Sequence, residues 1–184
     1  MTKLRIKWNS DKILSLSAMS ISFITLIIFI YQTNLMSKQN ALSILPYLQM
    51  ATSDNPAANA FSLSLKNHGV GPAIIESVNL EYKGKKYDLK DYNDYLFNVL
   101  ITISPELDSI KSLDTSTLDR GIAIPANSNY LVFSVFDSKE DYDLLTRELN
   151  TFIREGLRFE IIYKSIQDER WVIHDDSEGP IKLD

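Results

Sequence analysis

The sequence predicts an N-terminal transmembrane helix followed by a mainly-β domain, which we expect to be an immunoglobulin-like sandwich with inserted helices. Three observations predict this fold class. Residues 13–37 carry no charged side chain, several later segments alternate apolar and polar residues, and short helix signals interrupt that alternation. An α+β domain with a single sheet is the alternative.

Charge is distributed unevenly along the 184 residues. The net charge of −5 combines +3 on residues 1–12 (four basic, one acidic), zero on residues 13–37, and −8 on the remainder (15 basic, 23 acidic). These parts predict a basic head, an uncharged span and an acidic body. The acidic body disfavours nucleic acid as a partner. The absence of cysteine excludes disulfides, cysteine-ligated zinc and thiol nucleophiles.

Residues 13–31 are predicted to form the transmembrane helix. Eleven of these nineteen residues are isoleucine, leucine or phenylalanine, and at 1.5 Å per residue the helix is about 28 Å long, close to the hydrocarbon thickness of a bilayer. A buried helix of a soluble protein is disfavoured because such helices rarely lack charge for so long. A cleaved signal peptide is disfavoured because its apolar run is shorter and ends at a small-residue cleavage site.

The flanking charges predict the orientation of this span. Four basic residues precede it, whereas only Lys38 follows closely, and the positive-inside rule then places the N-terminus in the cytoplasm. We therefore expect a single-pass protein of the cell (inner) membrane with an extracytoplasmic C-terminal domain. Within the span, small residues recur along one helical stripe and suggest a helix–helix contact, although serines also scatter at random in such spans; they are Ser15, Ala18, Ser22 and Thr25.

The body divides into three predicted segments. Residues 32–43 continue the helix as a stalk, residues 44–176 form the β-rich globular domain, and residues 177–184 are a polar tail. The composition of residues 52–59 predicts a loop.

Strands and turns are predicted next along the chain. Residues 61–66 alternate apolar and polar side chains, which is typical of a half-buried strand. A tight hairpin that needs glycine is expected to join this strand to a second one over 73–83; its turn residues are Asn67, Gly69, Gly71 and Pro72. A second hairpin turns at Lys83 and Gly84, so the two hairpins suggest an antiparallel meander.

Further elements follow from capping and periodicity. The predicted helices are one over 92–100 capped by Asp91, one starting at Ser104, and one that begins at Ser138 and stops at Gly156. The predicted strands are residues 130–136 and a hairpin formed by 157–163 and 170–174.

Three stretches of this sequence resemble a recurring pattern. They are Leu65–Ala73 with its N-x-G-x-G-P-A turn, Ile124–Ser128 before an apolar strand, and Ile162–Ser165 followed by Trp171. The pattern is similar to that of uncharacterised bacterial single-pass membrane proteins with a small extracytoplasmic β-domain. This resemblance implies an anchor and a fold, but it implies neither a substrate nor a catalytic residue.

The residues that carry chemistry are few, and we predict no catalytic, cofactor-binding or metal-binding residue. His174, Asp175 and Asp176 are adjacent, but neighbouring strand residues point to opposite faces and do not converge on one ion. The two glycines after Asn67 are not followed by the lysine of a phosphate-binding loop. Glu140, Asp141 and Asp143 are typical of a solvated helix start.

Aromatic and basic residues are concentrated in one region, which suggests a partner-binding surface. The alternative is that the rings fill the edge of the core while the lysines protect an edge hairpin. The residues are Tyr82, Lys83, Lys85, Lys86, Tyr87, Lys90 and Tyr92.

These observations together predict a membrane-anchored, non-enzymatic interaction module that acts as an accessory subunit or envelope sensor. Its expected partners are the lipid bilayer and another protein, or a second copy of itself. One alternative is a membrane effector that self-associates through its transmembrane helix. A cell-envelope hydrolase or glycan-binding protein ranks third.

Overall fold

Helix α1 spans Ser10–Ser43 in the computed structural model, which describes residues 9–175 and 177–183. None of the residues of α1 is buried. The helix is long and apolar enough to cross a membrane, which confirms the predicted long apolar helix. It continues without a break through residues 32–43. The chain divides into two compact units after Leu42, and most of the predicted basic head lies outside the described residues.

The second unit is built mainly from β-strands. Its two α-helices are α2 (Leu96–Ile103) and α3 (Lys139–Arg154), and 3-10 helices cover Pro56–Ala58, Leu89–Tyr92 and Pro105–Ser109. The strands are β1 (Leu48–Asn55), β2 (Ala60–Asn67), β3 (Ala73–Tyr82), β4 (Lys85–Asp88), β5 (Leu113–Thr115), β6 (Ala123–Ile124), β7 (Ser128–Val135), β8 (Arg158–Lys164), β9 (Arg170–His174) and β10 (Ile181–Leu183).

These strands form two antiparallel sheets. The first sheet has the order β1-β2-β7-β5, and the second has the order β10-β9-β8-β3-β4, with β6 also pairing with β3. The prediction of a mainly-β domain is confirmed. The single-sheet alternative is wrong, because the strands are divided between two separate hydrogen-bonded sheets.

The turn after Asn67 does not form the predicted hairpin. Strands β2 and β3 belong to different sheets, so the turn carries the chain across the sandwich, and the predicted meander through this turn is wrong. The second predicted hairpin is confirmed: Tyr82 pairs with Lys85 around a two-residue turn. Lys83 has φ +51° and Gly84 has φ +76°, the left-handed values that a two-residue hairpin turn requires.

The crossing turn is fixed by the side chain of Asn67, which is 1% exposed. Its Oδ1 accepts hydrogen bonds from the backbone amides of Tyr47 (3.1 Å) and Gly69 (2.9 Å). Its Nδ2 lies within hydrogen-bond distance of the carbonyls of Gly71 (2.8 Å), Ile124 and Pro125 (both 3.1 Å). One buried amide therefore joins the entry to β1, the crossing turn and the segment before β7, and satisfies backbone groups that burial would otherwise leave unpaired.

The two glycines of the crossing turn let two backbone segments touch. A Cβ on Gly69 would lie 2.3 Å from the carbonyl oxygen of Leu45, and one on Gly71 would lie 2.0 Å from that of Ile44. Glycine is required here for close approach. Residues 44–47, which connect α1 to β1, are thus packed against the β domain's own turn.

The core lies between the two sheets. The Tyr163 ring on β8 stacks on Trp171 of β9 at 5.8 Å between centroids, and its hydroxyl accepts a hydrogen bond from the Leu48 amide of the first sheet at 3.3 Å. Burial raises the pKa of Tyr163 to about 12. Other side chains at most 1% exposed include Leu65, Ile75, Val99, Leu100, Val132, Phe133, Leu145 and Ile161.

Several elements differ from their sequence prediction. The predicted loop at 52–59 is strand up to Asn55, because its polar residues pair along β2. The helix predicted to start at Ser104 is a 3-10 helix, Pro105–Ser109. The predicted polar tail contains β10, which pairs with β9. Strand β10 was missed because a segment of three residues is too short to show the alternation of apolar and polar residues that marks a strand.

Candidate functional site

A cleft of about 670 Å³ opens inside the β domain, beside strand β1. This volume is within the range of ligand pockets, about 300–1,000 Å³. Most of its lining is apolar and comes from both sheets, α2, α3 and the segment after α3; the residues are Met50, Thr52, Asp54, Phe61, Leu63, Leu80, Leu96, Leu100, Phe133, Thr146, Leu149, Asn150, Ile153, Gly156, Leu157, Arg158, Phe159 and Asp175.

The floor of the cleft is aromatic and rigid. Phe61 of β2 stacks on Phe133 of β7 with ring centroids 6.1 Å apart. Phe97 of α2 meets the same Phe133 ring edge-on at 5.4 Å. Since Phe133 is 1% exposed, these contacts hold the floor in place without a bound molecule.

Helix α3 forms one wall of the cleft, and its start is held by a cap and by a carboxylate that bonds to residues 111 and 112. The Ser138 hydroxyl accepts a hydrogen bond from the Asp141 amide at 3.2 Å, which confirms the predicted cap. The Asp141 carboxylate accepts hydrogen bonds from the backbone amides of Ser112 (2.9 Å) and Lys111 (3.0 Å). These backbone bonds, the one from Ser112 above all, lower the pKa of Asp141. The helix ends before Gly156, which has φ +86° as the predicted stop requires.

Several polar side chains line the cleft, and those of Asp54, Asn150 and Arg158 are exposed. Tyr142 of α3 donates its hydroxyl to Oδ1 of Asp54 at 2.6 Å, and this bond raises the pKa of Tyr142 to about 12. Ile153 is 68% exposed at the same rim. An apolar interior with a few polar groups at its mouth suits a ligand that buries an apolar part and keeps polar atoms outside.

The cleft lining, as far as the structure describes it, holds neither histidine nor a nucleophile–base pair. Across residues 9–175 and 177–183, no group of three or more histidine, aspartate or glutamate residues is placed to hold a metal ion.

In the predicted aromatic–basic surface, two of the tyrosine rings are buried and the lysines are exposed. Tyr82 and Tyr87 are 9% and 8% exposed, so the expectation that their rings form a surface is wrong; they complete the core instead. Tyr92 is half-buried against Tyr87, at 6.0 Å between centroids. The four lysines of the prediction are exposed: Lys83, Lys85, Lys86 and Lys90.

Tyr82 and Lys83 share one carboxylate. Both contact Oε2 of Glu155, at the end of α3, and the Lys83 Nζ lies 2.7 Å from it. Lys83 and Tyr82 together lower the pKa of Glu155, and the bond to Glu155 raises the pKa of Tyr82. This contact attaches the β3–β4 turn to α3, so two of the predicted surface residues stabilise the wall of the cleft.

The predicted small-residue stripe is exposed along α1. The hydroxyls of Ser15, Ser22 and Thr25 donate to the carbonyls four residues earlier, at 2.8–2.9 Å. Each is therefore satisfied within the helix, and Ala18 lies between them with its methyl group outward. Whether the stripe contacts another helix stays a prediction.

His174 and Asp175 border a smaller hollow of about 390 Å³ on the second sheet, together with Lys86, Arg158 and Glu160. Asp176, the third member of the predicted cluster, lies outside the described residues. The hollow mixes cations and carboxylates and has no apolar interior comparable with that of the cleft.

Sequence reasoning missed the cleft because its residues come from seven separate stretches of the chain. Two parts of the lining were visible locally as apolar faces: the helical stripe of α3, with Leu149 and Ile153, and the alternation of Phe61 and Leu63 in β2. No protein-family model, curated protein or solved structure matches the chain. The resemblance to bacterial single-pass proteins therefore stays an expectation, and the function is inferred from the geometry of the chain itself.

Proposed function

We propose that the protein is a single-pass membrane-anchored binding module without catalytic activity, which uses the cleft beside β1 to bind another protein. The observation that carries the proposal is the pairing of an unburied apolar helix with a preformed apolar cleft in the adjoining β domain. Its role is that of an accessory subunit or envelope sensor. The cleft takes an apolar side chain of the partner as an anchor, which is how compact interfaces gain most of their affinity.

The flanking charges support the orientation. The four basic residues before the span favour a cytoplasmic N-terminus in the inner membrane and an extracytoplasmic β domain. The continuity of α1 to Ser43 supports a retained anchor over a cleaved signal. Only residues 44–47 lie between α1 and β1, and they pack against the domain's crossing turn.

The strand order supports an immunoglobulin-like sandwich. In that fold the strands A to G form one sheet in the order A-B-E-D and another in the order G-F-C, with C′ beside C in variable-type domains. Assigning A, B, C, C′, D, E, F and G to β1, β2, β3, β4, β5, β7, β8 and β9 reproduces both orders. Helices α2 and α3 are then insertions between C′ and D and between E and F.

The anchor is tested by fractionation and topology reporters. We expect the full chain to remain in the membrane pellet after alkaline carbonate extraction, at the mass of the uncleaved sequence. A C-terminal alkaline phosphatase fusion should be active and a cytoplasmic reporter fusion inactive. A shortened, soluble product would contradict the anchor, and the opposite reporter pattern would contradict the orientation.

The cleft is tested by photocrosslinking in native membranes. Because the chain lacks cysteine, I153C provides a single thiol at the rim for a benzophenone label. We expect a discrete protein adduct, which should be lost when N150W narrows the mouth. K139C, exposed at the far end of the same helix, is the matched labelling control.

Two results would contradict this assignment of the cleft. Equal protein adducts from I153C and K139C would show that the label reports only collisions. A lipid-sized adduct alone would assign the cleft to an acyl chain.

A further inference from the structure

Besides the two-residue β6, the two sheets have four outer strands, and these differ in how well they are protected against pairing with another chain. Strands β5 and β10 have three residues each, and β4 has four, including two lysines. Strand β1 has eight residues with neither lysine nor proline, and it pairs with β2 without a bulge. Short strands, lysines, prolines and bulges are the usual protections of a sheet edge. Strand β1 has none of these four, and its one charged side chain is Asp54, near its end.

Every second residue of β1 directs its backbone N–H and C=O away from β2. The carbonyl of Tyr47 accepts the His68 amide at 2.8 Å on the β2 side, whereas the next amide, that of Leu48, donates to the Tyr163 hydroxyl on the other side. Antiparallel pairing alternates in this way along a strand. The outward-facing residues are therefore Met50, Thr52 and Asp54. Within the described part of the chain no hydrogen bond engages their outward groups.

The same three residues direct their side chains into the cleft. Met50, Thr52 and Asp54 all line it, and the last two are exposed. A strand added beside β1 would continue the first sheet, with alternate side chains on the cleft side. Its backbone would meet the free edge while those side chains reach the apolar interior.

We propose that β1 and the cleft together bind an extended segment of another protein, which adds to the first sheet as a strand and places alternate apolar side chains in the cleft. The proposal rests on the proposed binding function and specifies its partner. In this mode of recognition, main-chain hydrogen bonds supply affinity and pockets for alternate side chains supply specificity.

The charged residues at the mouth of the cleft indicate which kind of segment binds there. The mouth carries Asp54 and Asp175 against Arg158 alone, on a part of the chain with net charge −8 from Lys38 onwards. A segment with basic flanking residues fits this surface. A second copy of β1 does not, because it would bring another Asp54 to the mouth, and its apolar side chains on that face are Met50 and Leu48, the latter buried in its own core.

The experiment selects peptides against the full chain. A phage-displayed library of random peptides of about nine residues, the length of a strand, is selected on the full chain in lipid nanodiscs, with empty nanodiscs as counter-selection. We expect enriched peptides that alternate apolar and polar residues and carry lysine or arginine at a flank.

Two variants test the two halves of the surface. T52P removes an outward-facing amide while leaving the ladder to β2 intact, since proline is tolerated on the open side of an edge strand. N150W narrows the cleft from α3. Each should weaken binding of a selected peptide by about tenfold or more. T52V, which keeps the amide and the side-chain shape, and K139W, on the same helix outside the cleft, should bind as the wild type does.

Three results would overturn the proposal. One is a selection that yields no peptide, or peptides with helical periodicity. Another is undiminished binding to T52P and N150W, with unfolding curves and circular dichroism confirming that both are folded. The third is a disulfide-linked homodimer of T52C that forms faster in membranes than that of K139C, which would assign the edge to a second copy. If photocrosslinking at Ile153 still succeeds in any of these cases, only strand addition fails and the binding function stands.

Discussion

Two turns flank strand β3, and both contain glycine for different physical reasons. At the crossing turn, Gly69 and Gly71 lie against the backbone of residues 44–47, where a Cβ would overlap carbonyl oxygens. At the β3–β4 turn, Gly84 faces open space but has φ +76°. The first glycines serve a contact between distant segments, and the second serves a local backbone conformation. Turns of similar composition can therefore differ in how much of the fold depends on them.

The largest expected effect is that of G71A. A Cβ at this position would lie 2.0 Å from the Ile44 carbonyl oxygen and 2.4 Å from its carbonyl carbon. Because these are backbone atoms, residues 44–47 must move away from the turn, and we expect a loss of about 3 kcal/mol or more in the free energy of unfolding. Thermal and denaturant unfolding of the purified chain measures it. A loss below about 1 kcal/mol would show that the two segments separate easily.

N67A should cause the next largest loss in the free energy of unfolding. It removes an amide that bonds to backbone groups of Tyr47, Gly69, Gly71, Ile124 and Pro125. Leaving such buried groups unpaired costs roughly 1–3 kcal/mol. Amide hydrogen exchange should accelerate at Tyr47 and Gly69 before the rest of the domain. N67D, which keeps the acceptor oxygens but loses the donors, is the matched variant and should also be destabilised. Unchanged amide exchange in N67A would contradict the role of the Asn67 side chain in holding the crossing turn.

G84A should have a smaller effect. No heavy atom lies within 4 Å of the added methyl group, so only the left-handed backbone conformation opposes the change. That strain is worth about 1–2 kcal/mol. G84N should restore most of the stability, because asparagine tolerates this conformation. If G84A cost as much as G71A, the contrast between the two turns would fail.

The smallest expected effect concerns Glu155, which attaches the β3–β4 turn to α3. Its pKa is lowered by Lys83 and then Tyr82. A carboxylate whose pKa is lower in the folded state stabilises the fold above its unfolded pKa, and this contribution is lost as the pH falls through the folded pKa. The melting temperature of E155Q should therefore lie below that of the wild type at neutral pH and converge with it in acid. A constant difference across this range would rule out the ionised contact.

The local features of this chain were predictable from the sequence. The uncharged run marks α1, the alternation of Phe61, Leu63 and Leu65 marks β2, and Ser138 marks the start of α3. Each signal depends on residues within a few positions of one another. The polar stretch Thr52–Asn55 was missed as strand because its pairing with β2, rather than its composition, makes it extended.

The sequence by itself determined where charge lies and where the strongly patterned elements α1, β2 and α3 form, because periodicity and capping act over a few residues. Only the tertiary structure decided which strands share a sheet. Phe61 pairs with Val135 and Ile75 with Tyr163, far along the chain. That choice made the glycine turn after Asn67 a crossing between sheets, moved the rings of Tyr82 and Tyr87 into the core, and opened the cleft beside β1. Long-range hydrogen bonds and packing select among partners that look alike in sequence, since many strands present the same alternating pattern.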